Sequence, residues 1–164
     1  MADIKAKFGA GNQPITCSLA PGGIGLAVNG QRQSTSIDNT INVFLDALVF
    51  VNVKTGGAGT VAGNFINIYA YGTADAGTNF SDGASGVDGT ITLTAPPNAR
   101  LIGIINVTNN AITYKGGPFS VAAAFGGVLP ATWGIIIENK TGGVLDTTEA
   151  NHLKVYQGVL AQTV

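Results

Sequence analysis

The 164-residue sequence predicts an all-β protein: an antiparallel β-sandwich and, within that class, a jelly roll with about eight strands. Three observations predict this fold. Apolar stretches alternate with a period of two and are rich in β-branched residues, turn sequences rich in Gly, Asn and Pro separate them, and the strand–helix alternation of α/β proteins does not occur. This length fits one domain, so we expect a single sandwich over residues 1–164.

Residues 1–12 are predicted to form an N-terminal arm that is either flexible or bound at an interface. They contain two lysines with no apolar stretch behind them, so a secretory signal is not expected. Residues 14–19 and 31–37 are short strand candidates, and the glycine-rich sequence APGGIGLAVNG separates them.

The clearest predicted strand covers residues 40–54, TINVFLDALVFVNVK. Every second residue from Ile41 to Val53 is apolar, and these residues would share one face of an extended chain. The other face is polar at both ends and apolar in the middle, which is typical of a strand that is partly covered by another part of the molecule. A helix is disfavoured because β-branched residues dominate.

The next predicted strand, residues 64–72, alternates in the same way. Because the glycine-rich sequence 55–63 joins it to the preceding strand, we expect the two to form a long hairpin. A polar loop is predicted at 73–89. Shorter strands are predicted at 90–94, 100–108 and 111–115.

The remaining chain contains the one candidate for a short helix. Pro118 suits a first helical position and Gly126 a helix stop, so the helix would lie between them. Two further strands are predicted at 133–139 and 152–160.

Candidate catalytic residues are few. His152 is the one histidine, so a Ser–His–Asp or Cys–His site would have to use it, yet no serine has the spacing of a nucleophile elbow. We interpret His152 as a surface or strand-end residue without a catalytic role. Cys17 alternates with Ile15 and Leu19, which favours a buried structural thiol. We therefore predict a protein that is not an enzyme and uses no cofactor.

The acidic residues of the polar loop are Asp75, Asp82 and Asp88. Carboxylates in a glycine-rich loop can bind Ca²⁺, but their spacing matches no EF-hand, so a solvated loop is favoured and a bound cation stays open. One His and one Cys far apart provide too few soft ligands for a transition metal. No metal ligands are therefore assigned.

Charge and hydropathy limit the partners. Only 10% of the residues are charged and the net charge is −1, where ordinary domains carry about 25% charged residues. Scattered cations do not form the basic stripe that nucleic acid requires, and no apolar run is long enough to span a membrane. With a mean hydropathy of +0.31, an isolated subunit would be prone to association, so we predict a homo-oligomer and favour a trimer.

The segment 118–130, PFSVAAAFGGVLP, is predicted to be buried, because it contains no charge. It could lie at a subunit interface or form an internal crossover over one end of the sandwich, and the sequence does not separate the two. The predicted contact residues are Phe119, Ala122, Ala123, Ala124, Phe125, Val128 and Leu129.

Aromatic residues share one face of the strand 64–72. Tyr69 and Tyr71 could form a glycan-binding face, since exposed rings can stack on sugars. The favoured alternative is that a second sheet or subunit covers them.

The sequence KGGPFSVAAAFGGVLPATWGIIIENKTGG (115–143), together with the stretches 32–49 and 98–107, resembles small virion structural proteins of tailed bacteriophages. The resemblance implies a structural role in the particle, as a capsid decoration or cement protein. It also implies a β-sandwich that assembles as a trimer, contacts the major capsid protein and resides in the virion after assembly in the host bacterial cytoplasm. No catalytic motif accompanies it.

Two hypotheses follow from the sequence. The first is a capsid decoration or cement protein that stabilises the head lattice through protein–protein contacts. The second is a tail or fibre module that binds a host-surface glycan. A hydrolase built on the sandwich ranks last, because no residues support it.

Overall fold

The computed structural model describes residues 3–75 and 77–163 and confirms the predicted all-β sandwich. Within these ranges the helical segments are short 3-10 turns. The strands are β1 (Ile4–Phe8), β2 (Gln13–Pro14), β3 (Gln31–Gln33), β4 (Ile37–Asp38), β5 (Asp46–Lys54), β6 (Phe65–Thr73), β7 (Gly89–Thr90), β8 (Arg100–Asn106), β9 (Thr113–Ser120), β10 (Thr132–Lys140) and β11 (Leu153–Thr163).

The strand order is that of a jelly roll. Sheet A has the order β1-β11-β5-β9, with β2 also on β11, and sheet B has the order β7-β3-β10-β6-β8, with β4 also on β10. We count β1 with β2 as one interrupted strand and β3 with β4 as another. Eight principal strands then pair first with last, second with seventh, third with sixth and fourth with fifth. This is the pairing of one long hairpin folded over itself; β7 is an additional edge strand.

The core lies between the two sheets. Alternate residues of β5, from Ala47 to Val53, are fully buried there. Trp133 of β10 packs edge-to-face on Tyr156 of β11, with ring centroids 5.2 Å apart. Each fully buried Val or Ile side chain contributes about 1.5–3 kcal/mol, so these strands supply much of the stability.

The predicted strand 40–54 begins later than its alternation suggested. Residues before Asp46 form a tight loop, and Ile41 and Val43 are 84% and 70% exposed. The Asn39 side chain closes this loop, since its Oδ1 accepts from the Phe44 N–H at 2.9 Å and its Nδ2 donates to the Phe44 carbonyl at 3.0 Å. The first three apolar residues of the predicted face therefore lie outside the core.

The predicted hairpin between the strands 40–54 and 64–72 is wrong. β5 lies in sheet A and β6 in sheet B, so the glycine-rich connection crosses from one sheet to the other. That connection is held by the turn after β10: the Gly56 N–H donates to the Val144 carbonyl and the Val61 N–H to the Thr141 carbonyl.

Two shorter predictions are also corrected. Pro118 lies within β9, and the helical turn is confined to Ala122–Phe125, although Gly126 does end it in the left-handed conformation. The predicted strand 90–94 is reduced to Gly89–Thr90. Within the arm 1–12, Ile4–Phe8 form the edge strand β1, and Met1 and Ala2 lie outside the described residues.

Sheet B is covered on its outer face by its own chain. Residues of the excursion between β6 and β8 pack there on Tyr69, Tyr71 and Ile136. As a result β10 is buried on both faces from Trp133 to Asn139. In the described residues, no helix is long and apolar enough to cross a membrane.

Candidate functional site

The middle of the outer face of sheet A is an apolar patch, and within residues 3–75 and 77–163 no layer like that on sheet B covers it. Leu48 and Phe50 of β5 and Leu153 and Val155 of β11 point away from the core, and with Pro118 they line a shallow groove of about 290 Å³. Phe50 is 38% exposed and Leu153 45% exposed. An antiparallel sheet with one solvated face normally carries polar residues there, so this face is suited to contact with another protein.

A second apolar surface lies at the end of the sandwich where β5 begins. Its exposed side chains are Ile41, Val43, Leu45 and Val128, the last of which is 71% exposed. The Leu129 N–H donates to the Leu45 carbonyl, so the two loops that carry these residues are adjacent. A groove of about 440 Å³ between Val128, Pro130 and Gly72 adjoins them.

The predicted interface segment divides between the core and the surface. Ala122 and Leu129 are buried, and Phe119 and Phe125 pack partly against the core. Ala123 and Val128 are exposed, and Ala124 is half-buried. The buried residues of the segment 118–130 therefore fit the predicted internal crossover. Its exposed residues are free of such packing and could still contact another subunit.

The predicted glycan face of Tyr69 and Tyr71 is corrected by the structure. Both side chains are buried, because residues 80–99 cover them. The Tyr71 ring lies edge-to-face against Phe80, with centroids 5.3 Å apart, and its hydroxyl donates to the Ser34 carbonyl at 2.6 Å. Neither ring presents a flat surface on which a sugar could stack.

A polar cleft of about 380 Å³ lies beside Tyr69 instead, between sheet B and the proline-rich loop 94–97. At its base Glu138 is only 5% exposed. Its Oε1 accepts from Gln31 Nε2 at 2.8 Å and from Lys140 Nζ at 3.1 Å, and its Oε2 accepts from Asn67 Nδ2 at 2.8 Å and from Tyr69 at 3.1 Å.

Sheet register explains why these groups meet. Glu138 lies directly opposite Gln31 of β3 and Asn67 of β6, so three neighbouring strands place polar side chains in one row. Burial alone would raise the pKa of Glu138, but the hydrogen bonds from Asn67, Gln31, Lys140 and Tyr69 hold it below its ordinary value. The carboxylate is therefore charged at neutral pH and fixes four side chains.

His152 stands at the end of a strand, as predicted, but it is buried rather than on the surface. Its Nδ1 accepts from the Lys54 N–H at 3.3 Å, so the proton is on Nε2, which donates to the Asp146 carbonyl at 3.0 Å. Burial lowers the pKa of His152. The neutral ring therefore links two backbone groups, the Lys54 N–H and the Asp146 carbonyl, through hydrogen bonds.

Cys17 is buried, as the alternation predicted. Burial, reinforced by the charge of Asp88, raises the pKa of the thiol to about 12. A thiol that stays protonated is a poor nucleophile, so this side chain is structural.

The three loop aspartates bind different parts of the chain. Asp75 accepts hydrogen bonds from Thr73 and Asn79. Asp82 accepts from the Thr94 hydroxyl and the Ala99 N–H. Asp88 accepts from Arg32 at 2.8 Å and from the Ser18 N–H. Among residues 3–75 and 77–163, no group of three or more His, Cys, Asp or Glu is placed to hold a metal ion. The aspartates therefore act separately, each as an anchor of the loop.

Sequence reasoning missed the polar cleft and predicted only part of the apolar patch on the outer face of sheet A. An isolated Glu in the apolar strand WGIIIEN was the available signal for the cleft, because a carboxylate in such a strand needs buried donors. Phe50 lies in the apolar middle that alternation predicted for the second face of residues 40–54, whereas no such pattern singled out Leu153 of β11. No comparable signal distinguishes them from residues that a second layer covers.

No protein-family model matches the chain, and no curated protein matches it. Its function is therefore inferred from the surfaces described above.

Proposed function

We propose that this chain is a structural subunit of a tailed-bacteriophage particle. It acts as a non-enzymatic capsid decoration or cement protein that assembles as a homotrimer and stabilises the head through contacts with the major capsid protein. The observation that carries the proposal is the contrast between the two outer faces. Sheet B is covered by residues 80–99, whereas the apolar patch around Phe50 and Leu153 of sheet A has no such cover in the described chain.

Composition supports the same function. A surface with few charges can be buried in a lattice without the desolvation penalty that charged groups carry. The jelly roll also occurs in viral capsid proteins, although it serves lectins and other proteins as well, so the fold supports the proposal only by analogy.

The direct test measures where the protein lies in the particle and how many subunits the purified protein contains. Gold-labelled antibody against the protein should decorate the heads of purified particles, and light scattering should give the purified protein a mass of three subunits. Phe50→Glu should weaken binding to heads, since a charge would enter a desolvated contact, whereas Val61→Glu, at an exposed residue away from this face, should not. A purified monomer absent from particles would contradict the proposal.

The second candidate is a glycan-binding module of the tail or fibre. The specific observation in its favour is the cleft around Glu138, which combines a carboxylate, an ammonium, two amides and the ring of Phe65. Labelling of tails instead of heads would favour it. So would amide shifts confined to residues around Asn67 and Lys140 when simple methyl glycosides are titrated into the labelled protein.

A further inference from the structure

The last part of β11 extends beyond the rest of sheet A. β5 pairs with β11 only as far as Asp46, which lies opposite Val159. Beyond Val159, β1 is the one strand of the described chain that pairs with β11, up to Ile4 opposite Thr163. We call residues 4–8 and 159–163 the ribbon. All of β1 is exposed, as are the last three described residues of β11.

The ribbon has an open edge along β1. The Gly9 N–H donates to the Gly158 carbonyl at 2.8 Å. This bond establishes which alternate residues of β1 direct their backbone groups towards β11. Because antiparallel strands direct their backbone groups alternately to the two sides, Ile4, Ala6 and Phe8 turn their N–H and C=O groups away from β11. Among the described residues, no strand pairs with this side of β1.

The ribbon has a second open edge along β11. The carbonyl of Val159 accepts from the Leu45 N–H at 2.7 Å, on the side of β5. By the same alternation Ala161 and Thr163 turn their backbone groups to that side, where β5 has already ended. An isolated two-stranded ribbon is marginally stable, and open edges readily accept another strand.

Charge decides which edges can join. If β1 paired with β1 of a second copy about Ala6, Lys5 would lie opposite Lys7 of that copy, and like charges in opposite positions are destabilising. Residues 160–163 of β11 are Leu, Ala, Gln and Thr, so this edge carries no charge. The two edges also have similar lengths.

We propose that β1 of one copy adds to the edge of β11 residues 160–163 in the next copy, and that three copies close into a ring. This inference rests on the assembly function proposed above and names the surface that forms the trimer. Head-to-tail contacts of this kind form a ring when the rotation closes, and closure removes every open edge of the ribbon. The incoming strand would begin next to Leu45, which is 55% exposed and whose N–H donates to the Val159 carbonyl.

Proline substitutions test each edge separately. Ala6→Pro removes an N–H that points away from β11 and leaves the Lys5 and Lys7 bonds within the ribbon intact, and Ala161→Pro does the same on the other edge. Each variant should fall from three subunits to one of 16.5 kDa in light scattering. Ala6→Val keeps the N–H and should remain a trimer. Circular dichroism should show that all three variants keep the wild-type strand content.

Mixing the two proline variants tests the direction of pairing. Ala6→Pro retains its β11 edge and Ala161→Pro retains its β1 edge, so an equimolar mixture should form a dimer with a single junction. If both variants remain trimers, or if the mixture stays monomeric, the ribbon inference is overturned and the assembly function stands. If the wild-type protein is itself a monomer, the assembly function fails as well. Should Ala6→Pro not fold, Ala161→Pro alone decides.

Discussion

The backbone N–H of Leu45 donates to the carbonyl oxygen of Val159 across 2.7 Å, at the point where sheet A narrows from the three strands β1, β11 and β5 to β1 and β11. On one side of this bond the alternate residues of β5 are fully buried, and on the other side Ile41 and Val43 are exposed. One continuous alternating sequence thus serves two environments, core and surface.

Alanine substitutions should distinguish those environments. We expect Ile135→Ala to lower the free energy of unfolding by about 2–5 kcal/mol, because it leaves a cavity between the sheets. Ile41→Ala should change it by no more than about 0.5 kcal/mol, as at other exposed sites. Urea unfolding at low subunit concentration measures both. Equal losses would place Ile41 in the core and contradict the loop that Asn39 closes.

A close approach between β10 and a tyrosine should make one glycine sensitive. A Cβ added at Gly134 would overlap the ring of Tyr71, whose hydroxyl is fixed by the Ser34 carbonyl. Gly134→Ala should therefore lower the free energy of unfolding by about 1–3 kcal/mol, because the added methyl group overpacks the site.

Gly57→Ala provides the matched control, because a Cβ there meets no atom within 4 Å. We expect that control to be neutral or slightly stabilising. Thermal unfolding of the two variants gives the comparison, and a Gly134→Ala variant as stable as Gly57→Ala would show that the Tyr71 ring can move aside.

These contacts show which parts of the molecule the sequence could predict. Alternation located β5, β6 and β10, because a residue buried between two sheets must be apolar whatever its partner strand. It could not show that the chain crosses between sheets after Lys54, since the glycine-rich loop 55–63 is equally suited to a hairpin and to a crossover. It also could not locate the cleft, because three of the four donors to Glu138, on Gln31, Asn67 and Tyr69, lie on strands far from it in sequence.

Buried neutral His152 should make stability depend on pH. Burial lowers its pKa in the folded state, so below the unfolded value of about 6.5 the unfolded chain binds a proton that the folded chain does not. Stability should therefore fall as the pH drops below about 6.5, with a slope of at most about 1.4 kcal/mol per pH unit.

Urea midpoints at pH 7.5 and 5.5 measure this dependence. His152→Gln should be less stable at pH 7.5, because two backbone contacts are lost, yet its stability should vary less over this interval. An unchanged pH dependence in that variant would assign the titration to another group.

The carboxylate of Glu138 should stabilise the outer layer of sheet B. Glu138→Gln keeps the shape but removes the charge that accepts from Asn67, Gln31, Lys140 and Tyr69, and should cost about 1.5–3 kcal/mol at neutral pH. Because the pKa of Glu138 is lowered in the folded state, this contribution is present above the unfolded pKa and is lost as the pH falls through the folded one. The difference in the free energy of unfolding between wild type and Glu138→Gln should therefore become smaller in acid. Asp3→Asn, at an exposed position, is the control and should show no such difference. A gap that is constant down to pH 3 would contradict the charged state.

The helical turn Ala122–Phe125 allows the core and the interface to be tested at neighbouring positions. Ala122 is buried and its N–H donates to Asp46 Oδ1 at 2.8 Å, whereas Ala123 is exposed. Ala122→Glu should unfold the subunit, because a carboxylate would be buried without a partner. Ala123→Glu should leave the fold intact.

The behaviour of Ala123→Glu in assembly then decides the role of the segment 118–130. If its exposed residues contact a neighbouring subunit, the new charge enters a desolvated contact and the trimer should dissociate into folded monomers. Circular dichroism reports folding and sedimentation reports mass, so the two effects are separable. A variant that is folded and still trimeric would remove the segment from the trimer interface and leave the ribbon as the proposed contact between copies.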